Sequence, residues 1–158
     1  MGKDEILKNV APCSLMCYTC SAYNNGVICE ASNNLLKYLN GIKEFYKSHM
    51  LDAVESYTNF ENVLNMFCAG PCSGCRSTEH NVCSIKGCFL LVCTKEHGVD
   101  FCGECNEFPC ERTRTLFEDE VYEQWLNGNQ QIKENGINYF WENNSAKPHY
   151  EAYKNSHK

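Results

Sequence analysis

Three pairs of cysteines, each separated by two residues, are the chemically most informative feature of the chain. The pairs are Cys17/Cys20, Cys72/Cys75 and Cys102/Cys105. A turn of this length can direct both sulfurs at one metal ion, and several such pairs in one chain are typical of metal sites. Glycine lies inside two of the turns, at Gly74 and Gly103, where it permits tight backbone geometry.

The whole chain contains 13 cysteines in 158 residues, gathered in an N-terminal group over 13–29 and a second group over 68–110. An odd number of cysteines cannot all form disulfides within one chain. The first six residues lack the apolar segment of a signal peptide, so we expect the cytosol, where thiols stay reduced. These features favour metal binding over a disulfide framework.

Four cysteines complete a tetrahedral zinc site, and the sequence predicts two or three such ions. The predicted metal ligands are Cys13, Cys17, Cys20, Cys72, Cys75, Cys83, Cys88, Cys93, Cys102, Cys105 and Cys110. One partition into quartets is Cys13/Cys17/Cys20/Cys29, Cys72/Cys75/Cys83/Cys88 and Cys93/Cys102/Cys105/Cys110. That partition leaves Cys68 free, but Cys68 can replace Cys29, and quartets can interleave within the second group. The sequence does not decide between these alternatives.

The cysteine-rich segment is poor in large apolar residues, so it needs a stabilising element other than burial. A structural zinc ion supplies about 10–16 kcal/mol of apparent binding energy, against about 2–4 kcal/mol for a disulfide. Helical spacing of apolar residues predicts helices over about 32–67 and 111–142. We therefore expect a mainly α fold, with α+β possible, in which a small helical core adjoins an irregular, metal-stapled region.

Local signals refine these helices. Ser32 is predicted to begin the first helix, and Thr58 with Glu61 forms a capping-box pattern for a second one. Asn129 is predicted to cap a short last helix that ends at Gly136. The run 89–92 is too short to assign to helix or strand. The domain prediction is one cysteine-rich unit over 1–142, followed by a polar tail over 143–158.

Iron is the alternative metal. The spacing C-x3-C-x2-C, which also holds iron–sulfur clusters, occurs at Cys13/Cys17/Cys20 and again at Cys68/Cys72/Cys75. Radical enzymes with such clusters need a large barrel of alternating strands and helices, and this chain shows no such alternation. An iron–sulfur protein in electron transfer or redox sensing is therefore the second interpretation. A catalytic dithiol is disfavoured, since no C-x2-C pair follows a strand and begins a helix.

The charge balance bears on partners. Asp and Glu outnumber Lys and Arg by 20 to 14, giving a net charge of -6, and each zinc bound by four thiolates adds two more negative charges. This charge balance argues against nucleic acid as a partner, and no apolar run is long enough to span a membrane. Zinc sites closed by four cysteines leave no position for substrate, so the sequence leans away from an enzyme. We expect a protein partner and leave the oligomeric state open.

The cysteine motifs resemble those of a bacterial and archaeal family catalogued as domain of unknown function 3795. The matching segments are C-S-L-M-C-Y-T-C-S-A-Y from Cys13, C-S-G-C from Cys72, Cys88-x4-Cys93, K-E-H-G-V from Lys95 and C-G-E-C-N-E-F-P-C from Cys102. The similarity extends from about 11 to 142. It implies metal-binding cysteines and supplies no activity. Cys29 and Cys68 correspond to no clear position of the family pattern.

Overall fold

The computed structural model describes residues 1–77, 83, 85 and 87–154, and over them the chain is mainly helical. The helices are α1 (Lys3–Asn9), α2 (Val27–Tyr38), α3 (Ile42–His49), α4 (Ala53–Cys68), α5 (Leu90–Glu96) and α6 (Asp119–Asn144). Short 3-10 turns form at Cys17–Thr19, Cys102–Glu104, Glu111–Thr113 and Glu151–Lys154. The described residues form no strand beyond two isolated bridges, so the mainly α prediction is confirmed. Within the same residues, no helix combines the length and hydropathy that crossing a bilayer requires.

The region predicted as helical over 32–67 contains three helices with different bounds. Helix α2 begins at Val27, so Ser32 lies buried inside it and does not cap it. Gly41 adopts a positive φ of 86° before α3, which separates α2 from α3. Helix α4 begins at Ala53, and the Thr58 hydroxyl donates to the Val54 carbonyl at 2.8 Å instead of capping a helix start.

The predicted helix over 111–142 is shorter at its beginning, because Glu111–Thr113 forms a 3-10 turn and α6 begins at Asp119. Asn129 lies inside α6 and begins no helix. Gly136, with φ 82°, leaves the helical conformation, so the predicted end is correct in that α6 consists of two helical segments that meet at a kink there. In the undecided run 89–92, residues 90–92 form the first turn of α5 and Phe89 directly precedes it.

The cysteine segments pack against helix α6. Its buried residues Val121 and Trp125 join a cluster with Leu90, Phe108 and Phe117. Its later residues Ile132 and Phe140 join a second cluster with Ile6, Val10, Met16 and Phe101. Ordinary apolar burial therefore lies along one helix, and the sulfur-rich segments lie across its buried face.

Asn129 connects α6 to two cysteine segments by hydrogen bonds. It is 0% exposed. Its Nδ2 lies 3.2 Å from the Cys13 carbonyl oxygen and 3.1 Å from Ser14 Oγ, and its Oδ1 accepts from the Gly103 N–H at 2.8 Å. A Cβ at Gly103 would lie 2.2 Å from the Asn129 carbonyl oxygen, so only glycine allows this approach. Asn129, which the sequence predicts as a helix cap, is therefore a buried residue that joins α6 to both cysteine segments.

The polar segment after 142 also contacts the rest of the chain. Helix α6 continues to Asn144. The His149 ring Nδ1 lies 2.7 Å from the Met16 carbonyl oxygen, and the Tyr150 hydroxyl lies 2.7 Å from Ser21 Oγ. These contacts hold residues 149 and 150 against the N-terminal cysteine segment. The last residues, 155–158, lie outside the described residues.

Asn129→Ala should lower the free energy of unfolding by about 2–4 kcal/mol, because it leaves the buried Gly103 N–H and Cys13 carbonyl without their partner. The measurement is urea denaturation followed by far-UV circular dichroism. Asn143→Ala is the matched control, since Asn143 is exposed on the same helix. It should change stability by less than about 0.5 kcal/mol. Equal effects of the two substitutions would contradict the role given to Asn129.

Candidate metal centre

Backbone hydrogen bonds join cysteine segments that are far apart in the sequence. The Cys102 N–H donates to the Pro12 carbonyl at 3.0 Å. The Cys72 N–H donates to the Ala22 carbonyl, and the Asn24 N–H donates to the Cys72 carbonyl, both at 3.0 Å. The N-terminal cysteine group is thereby placed beside both halves of the second group.

Arg76 holds the C-x2-C turn at Cys75 in place. Its guanidinium donates to the carbonyls of Leu7, Val10 and Asp100, and it lies 4.9 Å from the centre of the Phe101 ring. Burial lowers the pKa of Arg76, while Asp100 and then the thiols of Cys75, Cys17 and Cys13 act in the opposite direction. Because Arg76 directly follows Cys75, this anchoring fixes that sulfur relative to α1.

Seven cysteines form a first thiol set centred on Cys75. Its members are Cys13, Cys17, Cys20, Cys72, Cys75, Cys83 and Cys88. The Cys75 thiol interacts electrostatically with those of Cys13, Cys17, Cys83 and Cys88. A hydrogen bond with Cys75, then burial, raises the pKa of Cys17. Burial raises the pKa of Cys13 well above its ordinary value. Both thiols are therefore protonated at neutral pH when no cation is near.

The turn from Cys72 to Cys75 has the geometry that its glycine predicts. Gly74 adopts a φ of 91°, and its N–H donates to Cys72 Sγ at 3.4 Å. An N–H that points at sulfur stabilises negative charge there. At the edge of the set, Cys20 Sγ lies 3.5 Å from the Tyr150 hydroxyl, and Cys83 is exposed.

Four cysteines form a second thiol set. Its members are Cys93, Cys102, Cys105 and Cys110. They line a small cavity of about 20 Å³ together with Trp125 and His97. A space of that size holds about one particle as large as water. The quartet is the third one of the sequence-based partition, and the structure brings all four of its members to one place.

The surroundings of Cys102 both oppose and favour a thiolate. Burial raises the pKa of Cys102 to about 11, and the neighbouring thiols act in the same direction. The Trp125 side chain acts in the opposite direction and lowers the pKa. Within the described residues, the buried Trp125 Nε1–H meets no acceptor in good hydrogen-bond geometry. A negative sulfur at Cys102 is an acceptor of the kind that this N–H lacks.

Each thiol set has one arginine beside it. Arg76 interacts with three thiols of the first set. Arg112 lies 4.4 Å from the centre of the Phe89 ring and acts to lower the pKa of Cys93, against the larger effect of burial. Two guanidinium groups therefore offset part of the negative charge that thiolates would bring.

Cys29 and Cys68 lie apart from both sets. Cys29 Sγ–H donates to the Cys68 carbonyl at 3.5 Å, and the two thiols interact electrostatically. The structure thus pairs Cys29 with Cys68, instead of adding it to a quartet with Cys13, Cys17 and Cys20. The eleven predicted ligands are the members of the two thiol sets.

The donors fit zinc in chemistry, but they are not preformed in geometry. Thiolate sulfur is a preferred ligand of Zn²⁺, and each set offers at least four sulfurs. Among the residues that the structure describes, however, no three Cys, His, Asp or Glu side chains converge as a ready metal site. Ion binding at either set therefore requires cysteine side chains to rotate.

The model of a family described as "Protein of unknown function (DUF3795)" matches residues 9–115. The chain belongs to this family. The matched segment contains all thirteen cysteines and ends before α6, so the similarity inferred over 116–142 lies outside it. No curated protein and no solved structure matches the chain. DUF3795 membership supports the cysteine-rich description, and the family description assigns no activity.

Sequence reasoning missed the residues that support the thiols. Arg76 and Arg112 stand in no recognised motif, and their roles depend on carbonyls and rings distant in sequence. Trp125 shows the apolar spacing of a core residue, which it is, but its position beside Cys102 carries no local signal.

Metal-free, reduced protein should lose stability as pH rises from about 8 to about 10.5. An unfolded thiol ionises near 8.5, so the unfolded chain releases its protons before the buried Cys102 and Cys13 do. The stabilisation from neutral thiols is complete below that pH and is lost towards the folded pKa, near 11 for Cys102. The expected slope is about 1.4 kcal/mol per pH unit for each such thiol.

Urea denaturation in chelator and reductant measures this slope. Cys102→Ala removes one of the thiols with a raised pKa, so the stability of this variant should fall less steeply over the same range. A wild-type stability that stays constant or rises with pH would contradict the burial of these thiols.

Proposed function

We propose that the chain is a cytoplasmic zinc-binding protein whose cysteines ligate two or three structural ions. The observation that carries this proposal is the gathering of all eleven predicted ligands into two sets around α6 and the N-terminal segment. Much of the polypeptide that bears these cysteines is irregular. Ions bound there would join segments that otherwise rely on a few hydrogen bonds.

The second thiol set binds one ion through Cys93, Cys102, Cys105 and Cys110. Four thiolates complete a tetrahedron and leave no site for substrate, so the ion is structural. Arg112 reduces the net negative charge, and a thiolate at Cys102 gives the Trp125 N–H an acceptor. Both effects become favourable only when the thiols ionise, which is what the metal brings about.

The first thiol set binds zinc with Cys75 as its central ligand. Cys75 interacts with the thiols of Cys13, Cys17, Cys83 and Cys88. One ion uses four of the seven sulfurs. Two tetrahedral ions that share one sulfur use seven, which equals the number in the set, and Cys75 is then the shared ligand. Total contents of two and three ions per chain correspond to these two arrangements.

An iron–sulfur cluster in the first thiol set is the alternative function. The set contains Cys13, Cys17 and Cys20, whose spacing also holds such clusters, and Cys75 supplies a fourth thiol. The function would then be electron transfer or redox sensing.

A protein-interaction role is supported by exposed apolar side chains on the helical hairpin of residues 27–68, which consists of α2, α3 and α4. The exposed ones are Val27, Leu35, Tyr38, Phe45, Met50, Leu51, Phe60, Val63 and Met66. Leu51 is 74% exposed and Tyr38 is 81% exposed. Apolar side chains exposed in this number on packed helices are a feature of surfaces that contact other proteins. In this proposal the zinc-bound region supports the hairpin.

Protein purified anaerobically should be colourless and contain two or three zinc ions per chain by elemental analysis. Cys105→Ser should lose one ion, and Cys75→Ser should lose the ion or ions of the first set, because a structural site with a missing thiolate binds zinc far more weakly. Cys29→Ser is the matched control and should retain the full content, since Cys29 contacts Cys68 instead.

Several results would contradict the proposal. Stoichiometric iron with a brown absorbance would contradict the assignment to zinc and favour the iron–sulfur cluster. Anaerobically purified protein that contains no stoichiometric metal would exclude both. Loss of zinc from Cys29→Ser equal to that from Cys75→Ser would show that the two thiol sets are wrongly assigned.

A further inference from the structure

Cys29 and Cys68 are the two cysteines that neither thiol set includes, and they lie at the base of a helical hairpin. Cys29 is in the first turn of α2, and Cys68 is the last residue of α4. Helices α2 and α4 pack against each other along the hairpin. The two cysteines therefore stand where the hairpin joins the cysteine-rich region.

The Cys29 sulfur is directed at the end of α4. It is 6% exposed, and it donates to the Cys68 carbonyl at 3.5 Å. On its other side, Asn33 Nδ2 donates to Cys29 Sγ at 3.5 Å. These two hydrogen bonds, one donated and one accepted by the sulfur, orient the Cys29 side chain towards Cys68.

The Cys68 thiol is half-buried and has Cys29 as its electrostatic neighbour. Two sulfurs are too few to complete a tetrahedral metal site. Two thiols at adjacent ends of packed helices can, however, be oxidised to a disulfide. Their exposure differs, which gives them different roles in exchange: Cys68 is accessible to a reagent in solution, and Cys29 is shielded.

We propose that Cys29 and Cys68 form a reversible disulfide by exchange with a small-molecule disulfide such as oxidised glutathione. The Cys68 thiolate attacks one sulfur of the oxidant, which forms a mixed disulfide and releases one glutathione as thiolate. The Cys29 thiolate then attacks Cys68 Sγ and releases the second glutathione. The two cysteine protons pass to the released thiolates, and two electrons pass from the protein to the oxidant.

The bond would close the chain across α2, α3 and α4. It joins the first turn of one hairpin helix to the last residue of the other. A cross-link over this many residues stabilises the folded state by restricting the unfolded chain. Oxidation would thus hold together the hairpin that carries the exposed apolar side chains. This inference does not depend on the identity of the bound metal.

The experiment uses the full-length protein as purified anaerobically, with its metal. It is incubated with oxidised glutathione, free thiols are alkylated, and the protein is digested with trypsin and chymotrypsin. The peptide 24–37 contains Cys29 as its sole cysteine. We expect this peptide to be joined through Cys68 to the peptide 68–76. The joined pair should have a mass two hydrogen atoms below the sum of the two separate peptides, and dithiothreitol should separate them. The thermal midpoint should rise by about 5 °C or more on oxidation.

Cys29→Ser and Cys68→Ser should each abolish the cross-link and the thermal shift while retaining the full metal content. Cys29→Ala is the second variant if serine disturbs the buried position, because alanine favours a helix. Alkylated Cys68 after oxidation, or Cys29 joined to a member of the first thiol set, would overturn the proposal. Loss of metal from both Cys68→Ser and Cys29→Ala would also overturn it, since the pair would then be ligands.

Discussion

The crowding of thiols around Cys75 and Cys102 is the constraint on which the rest of the structure depends. A hydrogen bond with Cys75 and burial raise the pKa of Cys17, and burial and neighbouring thiols raise the pKa of Cys102, so these two thiols stay neutral unless a cation offsets their charge. Neutral thiols pack as small apolar groups, whereas thiolates beside one another repel. A divalent ion reverses this preference, because it attracts every sulfur in the set at once. The same cysteines can therefore act as weak packing groups or as strong ligands.

The scaffold holds the sulfurs close before any ion arrives. Asn129 fixes the Cys13 segment and the Cys102 turn to α6, and Arg76 fixes the Cys75 turn to α1. These contacts involve polar groups whose partners are distant in sequence. They reduce the conformational entropy that metal binding must overcome, since the segments are already adjacent. The apolar core along α6 supplies the support for both contacts.

The sequence was sufficient for the fold class and the family, because composition and cysteine spacing are local signals. It was insufficient for the contacts between groups. Nothing near Cys75 in the sequence indicates that Cys13 and Cys17 lie beside it, and nothing near Cys29 indicates Cys68. Asn129 and Thr58 were wrongly interpreted as caps because tertiary packing overrode their local preference. Metal ligation itself stays a prediction.

X-ray absorption at the metal edge of the anaerobically purified protein tests the central claim most directly. The account predicts a zinc edge and a first shell of four sulfur atoms at about 2.3 Å, with no nitrogen or oxygen neighbour. An iron edge with short iron–iron distances would contradict the assignment to zinc. A zinc shell containing nitrogen or oxygen would contradict closed sites built from cysteine alone.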